Sequence, residues 1–94
     1  EVLDREDLTE EELLGYINEV KARVPRHMPV GYVDAYYEFE DRPQLTKTCD
    51  VLLANCYPFW EGCALPYATL YMQDMYRRVR QVADGKRVII SETG

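Results

Sequence analysis

Two glutamates lie close to opposite ends of the 94-residue chain, Glu1 ahead of Val-Leu and Glu92 directly after Arg87-Val-Ile-Ile-Ser. Between them come Asp34 with Tyr36 and Tyr37, then Asn55 with Tyr57, Phe59, Trp60 and Glu61. Paired carboxylates with aromatic rings between them suit glycoside hydrolysis. One carboxyl protonates the leaving oxygen, and the other attacks the anomeric carbon or activates water. Aromatic rings offer flat faces on which the weakly polar faces of pyranose rings can stack. The bland alternative for any single Glu is a structural carboxylate that caps a helix or pairs with a cation.

Other chemistries find little support. The 17 acidic against 11 basic side chains give a net charge of −6, the wrong sign for a phosphate backbone or an anionic membrane surface. No apolar run approaches the roughly 20 residues that span a bilayer. No glycine-rich loop follows an apolar run, so a phosphate cradle is not expected. Ser91 lacks a His partner, and the single His27 reads as a surface residue beside a helix exit. Cys49, Cys56 and Cys63 recur every seven residues, which fits no paired zinc motif. They read as buried or half-buried thiols, with a Cys56–Cys63 disulfide as the lesser alternative. No metal or cofactor is expected.

The elements that must position these residues follow from periodicity. Thr9 with Glu12 makes a capping box, and Leu8 with Leu13 a hydrophobic staple. The three acids Glu10, Glu11 and Glu12 then suit the positive end of a helix. Leu13, Ile17, Val20 and Val24 form the apolar stripe, and Pro25 and Pro29 bracket the exit. Pro29 to Ala35 reads as a short strand, and Tyr36 to Gln44 as a polar and aromatic loop, with one helical turn over Pro43–Thr48. The continuous apolar run Asp50 to Cys56 reads as a strand buried on both faces of a parallel sheet. A loop over Cys56–Pro66 leads to a helix over Tyr67–Ala83, with Ala68, Tyr71, Met72, Met75, Tyr76, Val79, Val82 and Ala83 on one face and Gly85 as its stop. Arg87 to Ser91 is the last strand. With Glu1–Leu3 taken as a strand end, the order is strand, helix, strand, short helix, strand, helix, strand. That alternation predicts β-α-β units in a parallel sheet, with ligands at the carboxyl ends of the strands. Glu1, Asp34, Asn55 and Glu92 fall at those ends.

The segments Glu1-Val-Leu-Asp-Arg, Pro29-Val-Gly-Tyr-Val-Asp-Ala, Asp50-Val-Leu-Leu-Ala-Asn-Cys-Tyr-Pro-Phe-Trp-Glu-Gly and Val88-Ile-Ile-Ser-Glu-Thr-Gly resemble glycoside hydrolase family 17. This is the family of β-1,3-glucanases and β-1,3-glucanosyltransferases. The Phe-Trp-Glu-Gly form resembles its bacterial branch, which includes domains attached to membrane glucan synthases. The resemblance runs the whole chain in order. It implies an α/β fold, a (β/α)8 TIM barrel, of which residues 1–94 would be one partial catalytic domain covering strands four to seven. It also implies a retaining mechanism without a cofactor. Glu1 then matches the general acid/base of the family's Asn-Glu motif, and Glu92 the nucleophile of its Glu-Thr-Gly-Trp-Pro motif. Tyr57 matches a tyrosine at the sixth strand end that reaches the nucleophile.

Phe59, Trp60, Tyr36 and Tyr37 suit sugar platforms or, equally, packing under the loop; Asn55 is expected to contact substrate, and Asp34 and Glu61 suit either contacts to sugar hydroxyls or a purely structural role. The Asn before Glu1 and the Trp-Pro after Glu92 fall outside the chain, which is read as truncation. The implied partners are a β-glucan oligosaccharide or polysaccharide and the missing barrel strands of a parent protein. The parent is expected in the periplasm, outside the cell, or as part of a membrane glucan synthase. A half barrel would keep two open sheet edges and an uncovered interior, so activity is expected of the intact barrel. The rival reading is a non-catalytic α/β binding module.

Overall fold

A computed structural model of the chain describes residues 2–94. Helix α1 spans Glu10–Arg23. Its capping box is formed: the Glu12 N–H donates to Thr9 Oγ1 at 3.2 Å, and the Thr9 N–H donates to Glu12 Oε1 at 3.1 Å. The helix closes at Val24, held extended ahead of Pro25 as a residue before proline must be. Leu13 and Ile17 are buried, but Val20, on the same stripe, is 47% exposed. The apolar stripe therefore outruns its packing surface, and the last turns of α1 are held instead by Lys21. Its ammonium donates to the Thr48 carbonyl at 2.9 Å and lies 3.3 Å from Asp50. Asp50 in turn accepts the Val30 N–H at 2.9 Å, so one carboxylate ties the helix exit to the start of the sheet. These donors hold the Asp50 carboxyl below its ordinary range, the Val30 N–H contributing most.

Three parallel strands follow, β1 over Gly31–Ala35, β2 over Val51–Cys56 and β3 over Arg87–Thr93, side by side in chain order. They are joined by helices α2 (Tyr36–Asp41) and α3 (Pro43–Thr48) between the first two, and by α4 (Ala68–Val82) between the last two. The expected α/β order is therefore present, with two corrections. The strand end expected at the start is not formed among the described residues. Residues 2–6 make turns in which the Glu6 N–H bonds the Leu3 carbonyl and the Asp7 N–H bonds the Val2 carbonyl. Backbone groups closed on one another locally are not offered to a ladder.

The second correction concerns 36–44, expected as a loop. Tyr36–Asp41 is helical because Tyr36 and Phe39, three apart, both turn into the core, while Glu38 pairs with Arg42 one turn on at 3.1 Å. Helix α4 begins one residue later than expected, after a 3-10 turn over Leu65–Tyr67. Met75, Val79 and Ala83 are buried along it, and Tyr71, Met72 and Tyr76 pack on the core edge, but Val82 is exposed. Asp84 and Gly85 then take positive φ, the left-handed stop expected of the glycine.

One face of the sheet is packed by helices. Leu52, Ala54, Cys56 and Val88 join Phe39, Leu45, Met75 and Val79 in a single core. The opposite face carries Val33, Leu53 and Ile89, none of which belongs to that core. Val33 is 45% exposed. This is the uncovered face expected of a partial barrel. Cys49 and Cys56 are buried, Cys63 half-buried, and all three are free thiols. His27 is exposed. No described helix is long and apolar enough to cross a membrane.

Candidate active site

The carboxyl ends of β2 and β3 meet at a local irregularity. Pairing runs Val51 with Arg87 through Ala54 with Ile90, then skips a residue, so that Asn55 pairs with Glu92 and Cys56 with Thr93. Ser91 is the extra residue of a β-bulge. Side chains of paired residues in neighbouring strands share a face, and successive ones alternate. Unbroken alternation from Val88, which packs under the helices, would send Glu92 to that same covered face. The bulge moves Glu92 to the other face, in line with Asn55.

Three side chains converge there with Glu92. The Tyr57 hydroxyl donates to Glu92 Oε2. The Ser91 hydroxyl donates to Asn55 Oδ1 at 2.7 Å, and Asn55 is buried. Tyr57 follows β2 directly, and the turn it opens is closed by its own backbone. The Glu61 N–H bonds the Tyr57 carbonyl at 2.9 Å, and the Cys63 N–H bonds the Pro58 carbonyl at 2.8 Å. The Phe59 N–H also donates to the Gly94 carbonyl at 2.8 Å, which fastens this turn to the end of β3. Phe59 and Trp60 extend from it edge to face, with centroids 5.5 Å apart, and are 72% and 78% exposed. Exposure of two adjacent rings at the carboxyl end of the sheet gives a ready stacking surface.

The remaining expected site residues sit elsewhere. Asp34 is fully buried on the helix-packed side, its carboxylate taking the Tyr32 hydroxyl and, at 2.7 Å, the Ala35 N–H. With both oxygens engaged, it is not offered to a ligand on the open face. Tyr36 is also buried, with the Arg78 guanidinium stacked 5.2 Å from its ring centroid, so of the two roles open to it that ring takes packing in the core. Its hydroxyl donates to Glu61 at 3.2 Å, and Tyr71 donates to the same Glu61 oxygen at 3.0 Å. Burial, with the Glu61 charge next, pushes the Tyr36 hydroxyl up to about 12. Glu61 thus braces the turn against α2 and α4. The Tyr37 hydroxyl donates to Asp4, and its ring meets Tyr36 edge to face.

Glu1, expected as the acid/base, lies outside the described residues. Ser91, without a His partner, carries no nucleophile signature in the sequence, and its contact with Asn55 appears only in the fold. A polar residue between an apolar run and a strand-end Glu was the signal available.

The BtgE/BtgC glycoside hydrolase domain model matches residues 1–94. The chain belongs to that family. None of the curated proteins matches it. Among solved structures, this glycoside hydrolase domain is similar to a glycoside hydrolase family 17 β-1,3-glucanosyltransferase from Rhizomucor miehei. The two are 38% identical with a TM-score of 0.88, over all of this chain and 35% of that one. It is also similar to an active-site mutant of the Rhizomucor miehei β-1,3-glucanosyltransferase in complex with laminaritriose, at 37% identity and a TM-score of 0.89, again over the whole chain and 35% of that one. The domain therefore spans about a third of the length of the structures it matches. The resemblance to family 17 and the partial (β/α)8 barrel both follow from this agreement, and the open sheet face is the barrel's interior face.

Proposed function

We propose that this segment carries the nucleophile of a retaining β-1,3-glucan-processing barrel, with Glu92 as that nucleophile and Glu1 as the acid/base. One observation carries the reading. A bulge turns Glu92 onto the interior face at the carboxyl end of a parallel sheet, where ligands bind in barrels, and a tyrosine hydroxyl meets its carboxylate there. The laminaritriose complex of the similar enzyme supports a β-1,3-linked glucan as the ligand.

In this scheme the Glu92 carboxylate attacks the anomeric carbon as the bond to the leaving glucan oxygen breaks, and Glu1 gives its proton to that oxygen. The resulting glucosyl ester on Glu92 is then displaced by water or by a hydroxyl of another glucan, with Glu1 taking the proton. The two carboxyls need to stand about 5–5.5 Å apart for retention. Tyr57 fixes the rotation of the Glu92 carboxylate before attack, which is a positioning effect. Trp60 and Phe59 supply the stacking surface for glucose units beyond the reacting bond, and Asn55 lines the floor beside Glu92. Glu61 contributes by bracing the turn that holds Tyr57 and Trp60.

Glu92→Gln in the complete barrel tests the reading. Against β-1,3-gluco-oligosaccharides we expect turnover to fall by at least about a thousandfold, as removal of a covalent nucleophile does. Near-normal turnover rules the assignment out. Sizing the products of the unaltered enzyme separates its two outcomes: chains longer than the donor mean transfer to sugar, and only shorter ones mean hydrolysis.

A further inference from the structure

We infer that Ser91 is a positioning residue for the Glu92 carboxylate, acting through Asn55 on the neighbouring strand. The inference rests on the reading of Glu92 as nucleophile. Ser91 has no ladder partner, because the pairing passes from Ile90 with Ala54 to Glu92 with Asn55. A residue in a bulge lacks the pairing that fixes its neighbours, so its place depends on whatever else it bonds. Here that bond is the Ser91 hydroxyl on Asn55 Oδ1 at 2.7 Å. Asn55 is only 4% exposed, so its amide is a fixed anchor.

The geometry makes this bond a lever on Glu92. Asn55 is the Cα partner of Glu92, and Ser91 is the residue immediately before it. Tyr57, two residues after Asn55, donates to Glu92 Oε2. Strand β2 therefore holds Glu92 at two points, through Tyr57 on the carboxylate itself and through Asn55 on the bulge that sets which face the carboxylate occupies. Removing the Ser91 hydroxyl leaves Asn55 Oδ1 without that donor and frees the bulge to shift. A displacement well under the size of a side chain is enough to slow an in-line attack, because reaction requires near-contact alignment. Ser91 does not itself touch the reacting atoms, and its hydroxyl is spent on Asn55.

Ser91→Ala, Ser91→Thr and Glu92→Gln in the complete barrel decide the matter, with turnover of β-1,3-gluco-oligosaccharides normalised, for the Ser91 variants, to sites titrated by a 2-deoxy-2-fluoroglucosyl inactivator and, for Glu92→Gln, which offers no carboxylate to titrate, to folded protein measured by circular dichroism. For Ser91→Ala we expect kcat to fall about tenfold with KM nearly unchanged, the pattern of a lost alignment rather than a lost substrate contact. Ser91→Thr keeps the hydroxyl and should restore kcat to within about twofold. Normalising to titrated sites removes any loss that comes only from unfolded protein. Should the alanine variant not fold, Ser91→Cys, a weaker donor, is expected to give a kcat between those of serine and alanine's expected value. Unchanged kcat in the alanine or cysteine variant overturns the inference. So does a rise in KM at constant kcat, or failure of threonine to restore turnover. If Glu92→Gln is inactive while Ser91→Ala is normal, only the role of Ser91 fails. If Glu92→Gln stays active, the nucleophile reading fails with it.

Discussion

Gly31→Ala provides a test in which geometry sets both sign and size. Gly31 opens β1 opposite Val51, and a Cβ built on it would sit 2.4 Å from the Val51 carbonyl oxygen, 2.6 Å from Val51 Cγ1 and 2.9 Å from Leu53 Cδ1. The nearest of these is backbone, so no rotamer change relieves it. Strands β1 and β2 must part by about 1 Å at that point to bring the 2.4 Å approach to an ordinary contact of 3.4 Å. That weakens one or two ladder hydrogen bonds, each worth about 1 kcal/mol net, and adds an overpacking cost of about 1–3 kcal/mol. Against it stands about 0.4–1 kcal/mol gained from the stiffer unfolded chain. The clash wins, and the net loss should be about 2–3 kcal/mol. Equilibrium urea unfolding of the full-length protein reads this as a lower midpoint at constant slope. Gly15→Ala is the internal control. Gly15 lies within α1 with nothing inside 4 Å of the added Cβ, so the same substitution there should stabilise by about 0.5–1 kcal/mol. If Gly31→Ala costs less than about 0.5 kcal/mol, or if the two variants shift the midpoint in the same direction, the strand register described here is wrong.

Three further outcomes are expected. Tyr57→Phe removes the donor on Glu92 and should lower kcat on β-1,3-gluco-oligosaccharides by roughly 10–100-fold, since a hydrogen bond to a charged group is worth about 1.5–3 kcal/mol; unchanged turnover would remove Tyr57 from the site. Tyr36, raised from 10.0 to about 12 by burial and then by Glu61, keeps its proton more tightly folded than unfolded. The stability it contributes is therefore complete below pH 10 and is lost as pH climbs toward 12, and Tyr36→Phe should flatten that alkaline decline in unfolding titrations. Burial pushes both the Cys49 and Cys56 thiols up to about 11, so iodoacetamide at pH 8 should label Cys63 first and reach the other two only in denaturant; mass spectrometry of the labelled peptides checks the order.

What the sequence determined by itself is local and repetitive. The capping box at Thr9 and Glu12, the core face of α4 around Met75 and Val79, and the buried run of β2 are all legible, because each depends on residues within one or two turns or on a single strand. The parallel order follows from their alternation, and Tyr57 and Glu92, both placed at strand ends by the sequence, do meet at the carboxyl ends of β2 and β3. The helix over Tyr36–Asp41 was not legible: six residues carry too short a pattern to distinguish a polar, aromatic loop from a helix whose Tyr36 and Phe39 find a core. Val20 shows the converse, an apolar position on the right stripe that stays 47% exposed.

Only the tertiary structure decided which face Glu92 occupies. Alternation along β3 is a property of one strand, but a bulge is a mismatch between two, visible only once Asn55 is seen to pair with Glu92 and not with Ser91. The same holds for Asp34, Tyr36 and Glu61. Their residue types suit a sugar site, yet the partners that occupy them are Tyr32, Arg78 and Tyr71; the Arg78 and Tyr71 pairings lie across the fold, and strand alternation puts Tyr32 on the face of Asp34 without deciding that the helices cover that face. Residue type offers a side chain for chemistry, and packing decides whether that side chain is already engaged.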